Sequence, residues 1–103
     1  MGQETVINNI ISLGLMDAAE ATPSIDCSEV REFSVYIISD TVSTGAVIKI
    51  ESSPDDSNFA EIGTVTVSGD GTQVVAISGE IHKWVRARAS SYTDGNHTAK
   101  LLK

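Results

Sequence analysis

The chain has 103 residues, a 41% apolar content and a formal net charge of −7. These fit one compact soluble domain and exclude a disordered acidic segment, which would be poorer in apolar residues. The acidic balance argues against general nucleic-acid binding, which needs a concentrated basic surface. No stretch approaches the ~20 apolar residues that span a bilayer, and the lone Cys27 cannot form an internal disulfide.

Residues 1–29 are the least regular part, read as an N-terminal arm or loop-rich segment of a single domain covering 1–103. The β-branched Thr5-Val6-Ile7 and Ile10-Ile11 favour an extended strand. Leu, Met, Ala and Glu over 13–21 predict a helical turn, which Thr22-Pro23 would end. A strand enters near Ser24, and Cys27 on it reads as a small buried hydrophobe. The first residues carry Glu4 and no Lys or Arg, so no secretory signal peptide is expected.

From residue 32 the chain becomes a succession of short strands at 32–39, 46–52, 63–67, 73–78, 82–90 and 98–102. In the first, Phe33, Val35 and Ile37 face one way while Tyr36 and Ile38 make the opposite face apolar too. A strand apolar on both faces is central or lies in an interface. In the second, Ala46, Ile48 and Ile50 point inward and Val47, Lys49 and Glu51 outward, the period of a half-buried strand. Pro54 presets a turn in which Asp55, Asp56 and Ser57 bond nearby amides, and Phe59 and Ile62 fold back over the core edge. Ser68-Gly69-Asp70-Gly71-Thr72 reads as a hairpin connection. Trp84, Arg86 and Arg88 share one face of the next strand, and Val85, Ala87 and Ala89 the other. Trp84 is either an outward interface residue or, as preferred here, a core anchor. Asp94-Gly95-Asn96 turns the chain into its last strand. The pattern predicts an all-β fold: a single antiparallel β-sandwich, jelly-roll-like or Ig-like, of about seven or eight strands.

Charge is uneven. Residues 1–80 hold thirteen Asp or Glu against two Lys or Arg, whereas 81–103 hold Asp94 against Lys83, Arg86, Arg88, Lys100 and Lys103. The late basic strands either contact another molecule or pair with acidic strands of the same chain. The interface candidates are Trp84, Arg86, Arg88, Tyr92 and Lys100. No nucleophile elbow, P-loop, zinc-binding His pair or Cys-x-x-Cys occurs, so no catalytic residue, metal site or cofactor is assigned. His82 and His97 read as solvated strand-edge residues, and the turn aspartates as capping groups.

One resemblance runs through 32–103. The stretch Ile50-Glu51-Ser52-Ser53-Pro54-Asp55-Asp56-Ser57-Asn58-Phe59 is followed by Trp84-Val85-Arg86-Ala87-Arg88-Ala89 and by Asp94-Gly95-Asn96-His97-Thr98. This resembles small β-sandwich structural proteins of tailed-bacteriophage particles, in which a Ser-Pro-Asp turn, a Val-Arg-Ala-Arg strand and a Gly-containing turn recur. The resemblance implies a non-enzymatic virion protein made in the host bacterial cytoplasm. The expected role is capsid decoration, a cement protein binding the major capsid protein as a homo-oligomer, for which a trimer suits three-fold shell sites. The alternatives are a neck or tail component, and a carbohydrate-binding β-sandwich module using exposed aromatics.

Overall fold

A computed structural model describes residues 10–41 and 44–102. The expected extended run at Thr5-Val6-Ile7, and Lys103, lie outside the described residues. All eight described elements are strands: β1 (Ile10–Met16), β2 (Ile25–Val30), β3 (Phe33–Asp40), β4 (Ala46–Ser53), β5 (Ala60–Val67), β6 (Gly71–Ile77), β7 (His82–Tyr92) and β8 (Asn96–Leu102).

They form two four-stranded antiparallel sheets, ordered β1-β8-β3-β6 and β2-β7-β4-β5. The pairing is nested: β4 with β5, β3 with β6, β2 with β7 and β1 with β8. A long antiparallel ribbon is thus rolled until β8 also meets β3 and β7 also meets β4. That is the jelly-roll form of the sandwich, so the all-β expectation holds and its jelly-roll variant is the one adopted.

The core lies between the sheets. From β3 it takes Phe33, Val35 and Ile37, from β4 Ala46, Ile48 and Ile50, and from β7 Val85, Ala87 and Ala89, with Ala99 and Leu101 from β8. In these four strands every second residue therefore faces inward, and each large aliphatic side chain so buried contributes about 1.5–3 kcal/mol. Cys27 is buried in this cluster.

Three expectations are corrected. The helical turn over 13–21 does not form, because Leu13 and Met16 are buried from β1. Tertiary burial overrides helix propensity there, and a bulge at Gly14, with φ of 143°, lets β1 change step against β8. Second, Ser68-Gly69-Asp70-Gly71-Thr72 is not a hairpin connection: β5 pairs with β4 and β6 with β3, so this segment crosses between sheets. A glycine-rich reversal has the same composition whether its strands pair or face each other across a core. Third, Trp84 is not a core anchor. It alternates with the buried Val85 on β7 and is half-buried on the outer side.

Gly45 sets the start of β4. A Cβ there would lie 1.7 Å from the Val67 carbonyl oxygen, and its φ is 113°. Its amide donates to the Asp94 carboxylate at 2.9 Å, as does that of Thr44 at 3.2 Å, so Asp94 ties the β7–β8 turn to the neighbouring loop.

Candidate functional site

The two sheets present unlike outer faces. On β2-β7-β4-β5 the exposed rows are charged. Glu51 lies beside Arg86, and Lys49 beside Arg88. The Glu51 carboxylate, whose side chain is only 8% exposed, accepts from Arg86 Nε at 2.8 Å and Arg88 Nε at 2.9 Å. Burial pushes its pKa up, but the bonds and charges of the two guanidinium groups outweigh that and hold it below the usual glutamate value. The Arg86 guanidinium also stacks 3.9 Å from the Phe59 ring centroid. Lys49 pairs with Glu61 at 3.1 Å, and hydrogen bonds from Thr64 and Lys49 lower the Glu61 pKa. Lys83 meets Asp26 at 3.2 Å and lies 5.7 Å from the Trp84 ring. This face is largely neutralised from within the chain.

The outer face of β1-β8-β3-β6 is different. Cross-strand register places Ile10, Leu102, Ser34 and Ala76 in one row. The next row holds Ser12, Lys100, Tyr36 and Val74, and a third Leu15, Thr98, Ile38 and Thr72. Ile10 and Val74 are each 55% exposed and Ile38 is 39% exposed. Ile10, Tyr36, Ile38, Lys100 and Leu102 line a shallow groove of about 240 Å³. Solvent-facing strand positions ordinarily carry polar residues, and a contiguous apolar patch ringed by polar groups marks an interaction surface. Among the described residues Lys100 makes no salt bridge, so it sets one cation within the apolar surface.

Two further places are organised by polar groups. At the β7–β8 end, the Tyr92 hydroxyl donates to the Gly95 carbonyl at 2.8 Å, and its ring meets His97 edge-on at 6.0 Å. His97 is fully buried, with Nε2 bonded to the Asp94 carbonyl at 3.0 Å and Nδ1 to Ser39 Oγ at 2.9 Å. A carbonyl only accepts, so Nε2 carries the proton. At the other end, Asp55 organises the turn after β4. Its Oδ1 accepts from Ser53 Oγ, the Ser57 amide and the Asn58 amide at 2.8, 3.0 and 2.9 Å. Its Oδ2 accepts from Asn58 Nδ2 at 2.7 Å. These donors, led by the Asn58 amide, hold its pKa far below the usual aspartate value. His82 is also buried, bonded through Nδ1 to Ser52 Oγ at 2.9 Å and edge-on to Phe33 at 5.8 Å. The reading of both histidines as solvated is thus corrected: each closes one end of the core, and they lie at opposite ends of the sandwich.

The five interface candidates do not converge. Trp84, Arg86 and Arg88 lie on the charged face, Tyr92 at the β7–β8 end, and Lys100 on the apolar face. The neighbours of Lys100 on that face, Tyr36, Val74, Ile10 and Leu102, were not among the candidates. Their signal was the apolar second face of β3, visible as Tyr36 and Ile38.

No known family model matches the chain, and no characterised protein sequence matches it. Solved structures share its fold. The SPBc2 prophage-derived protein YomS matches with a TM-score of 0.60 at 14% identity, over 90% of this chain and 89% of that one. PBSX exported protein XepA matches with a TM-score of 0.61 at 11% identity, over 90% of this chain but only 36% of XepA. A chitosan-binding module from a Paenibacillus sp. IK-5 chitosanase/glucanase, as its V110M mutant, matches at 0.60 with 14% identity, over 86% and 75%. The chain therefore has a β-sandwich fold that is found both in phage-derived proteins and in carbohydrate-binding modules.

Proposed function

We propose that the chain is a non-enzymatic structural component of a tailed-phage particle, a decoration protein that docks through the outer face of β1-β8-β3-β6. The observation that carries this is the exposed apolar surface around Tyr36, with Ile10, Ile38, Val74 and Leu102 beside Lys100. An aromatic anchor among aliphatic residues, with a single cation, is the composition of an interface centre. The complementary surface on the major capsid protein, or another virion protein, is apolar with a carboxylate opposite Lys100. The fold shared with a prophage-derived protein over nearly its full length supports the phage setting. A homo-oligomer, such as a trimer on a three-fold shell site, would multiply weak contacts of this kind.

Two measurements test the reading. Quantitative mass spectrometry of purified particles should find a copy number comparable to the capsomers; a handful of copies would assign the chain to the neck or tail instead. Burying an aliphatic or aromatic side chain contributes about 1.5–3 kcal/mol, so Tyr36→Asp with Ile38→Asp should weaken docking on particles lacking the protein by ~100-fold or more. Undiminished docking by the folded double variant would refute the assigned face. Arg86→Glu with Arg88→Glu should instead lower stability, because both arginines are held by Glu51 within the chain.

A further inference from the structure

The end of the sandwich below the Asp55 turn carries an open cleft of about 550 Å³, separate from the docking face. We infer that this cleft is a subsite for a neutral, polyhydroxylated ligand, a saccharide of one to a few units. Its walls are the turn after β4 and the 78–81 loop before β7, contributing Pro54, Asn58, Glu80 and Ile81, with His82 and Lys83 from the start of β7.

The central observation is His82. It is only 6% exposed, and its Nδ1 is bonded to Ser52 Oγ at 2.9 Å. Among the described residues its Nε2 has no hydrogen-bond partner, yet it is not one of the sealed-off polar atoms, since none of those lacks a partner there. An almost wholly buried imidazole, with one nitrogen not fully sealed from solvent, is thus among the residues lining the cleft. Serine can donate to or accept from Nδ1, so Nε2 presents either a donor or a lone pair. A ligand hydroxyl satisfies both cases, because it donates and accepts.

The other lining groups point the same way. Asn58 Nδ2 is committed to Asp55, which holds the amide in place and leaves its oxygen as an acceptor. Glu80 adds a carboxylate acceptor and Lys83 an ammonium donor. Lys83 is already paired with Asp26 at 3.2 Å, so with Glu80 nearby the local balance does not favour an anion. Among the described residues no three His, Cys, Asp or Glu side chains are grouped as cation ligands. Ile81, 53% exposed, and Pro54 offer apolar surface for the C–H face of a sugar ring. A few fixed polar groups beside apolar surface in a cleft of this size are the ordinary composition of a small-molecule site.

The test is a titration of the isotope-labelled full chain, followed by amide chemical shifts. The probes are cellotriose, xylotriose, maltotriose and tri-N-acetylchitotriose, with inorganic phosphate as the anionic control. At least one trisaccharide should give saturable shifts at Asn58 and residues 80–83 in the millimolar range. Glu80→Ala, on an exposed loop, and His82→Gln should each weaken that binding by about tenfold, or ~1.4 kcal/mol. Three results would overturn the inference: no response to any trisaccharide, a response to phosphate alone, or saccharide shifts centred on Tyr36 or Trp84.

Discussion

Replacing Glu51 by glutamine isolates the one nearly buried carboxylate among the described residues of the charged face. The substitution keeps shape and one acceptor oxygen, but removes the charge and turns an amide N–H₂ toward one of the two guanidinium groups. Hydrogen bonds to charged groups contribute about 1.5–3 kcal/mol against 0.5–1.5 for neutral ones. Glu51 makes two such bonds, at 2.8 and 2.9 Å. The Arg86 and Arg88 side chains are 28% and 38% exposed, so solvent screening takes back part of the gain, most of it at Arg88. The net expectation is a loss of about 2–3 kcal/mol at pH 7, or roughly 10–20 °C in Tm for a domain of this size. The pH dependence gives the sharper check. The folded-state pKa of Glu51 is depressed, so its stabilisation is complete above the unfolded glutamate value and disappears as pH falls through the folded one. The gap between parent and variant should be constant from neutral pH down to about pH 5 and close progressively below about pH 4. Asp55 and Glu61 also titrate there, but equally in both proteins, and cancel. Urea unfolding at several pH values measures the gap. A difference below about 0.5 kcal/mol at pH 7, or one that persists unchanged into acid, would refute the assignment of Glu51 as the electrostatic centre of this face.

Gly45→Ala should be among the most damaging single-methyl changes in the chain. The left-handed backbone alone costs about 1–3 kcal/mol, and the added carbon would overlap the Val67 carbonyl, so a fall in soluble yield and Tm is expected and a neutral outcome would contradict the β4 geometry. Asp55→Ala removes the acceptor of the turn after β4 and should speed amide exchange at Ser57 and Asn58. Because the folded Asp55 pKa is strongly depressed, the resulting Tm deficit should begin to shrink below about pH 4 but remain open at pH 3, as scanning calorimetry can follow.

Alternation carried most of the fold. Ala46, Ile48 and Ile50 against Val47, Lys49 and Glu51 placed β4 and its inward face correctly, because a half-buried strand leaves a period of two in the sequence. What alternation does not encode is which strands are neighbours. The reversal after β5 looked like a hairpin because a pairing turn and a sheet-crossing turn need the same small, polar residues. β1 was misread for a related reason: Leu13 and Met16 have helical propensity, and only contact with the rest of the core makes them strand residues. Polarity misled at His82 and His97, whose hydrogen bonds to Ser52 and Ser39 come from other parts of the chain and, with the local bond from His97 to the Asp94 carbonyl, make burial inexpensive.

The same distinction explains why the proposed docking face was only half visible. Tyr36 and Ile38 could be seen to make β3 apolar on both sides, yet Ile10, Val74 and Leu102 lie far from them in sequence, on strands whose neighbours alternation does not give. The order β1-β8-β3-β6 brings them into adjacent rows, and only then do they amount to a patch. For the charged face the sequence left two readings open, contact with another molecule or pairing within the chain, and the second is the one seen for Arg86 and Arg88, because β4 brings Glu51 to both. An internal ion pair makes a surface less adhesive, because displacing it would leave charges unmatched. Among the described residues the outer face of β1-β8-β3-β6 holds no such ion pair to displace, which is the physical reason for proposing that face, with a carboxylate supplied opposite Lys100, as the docking surface.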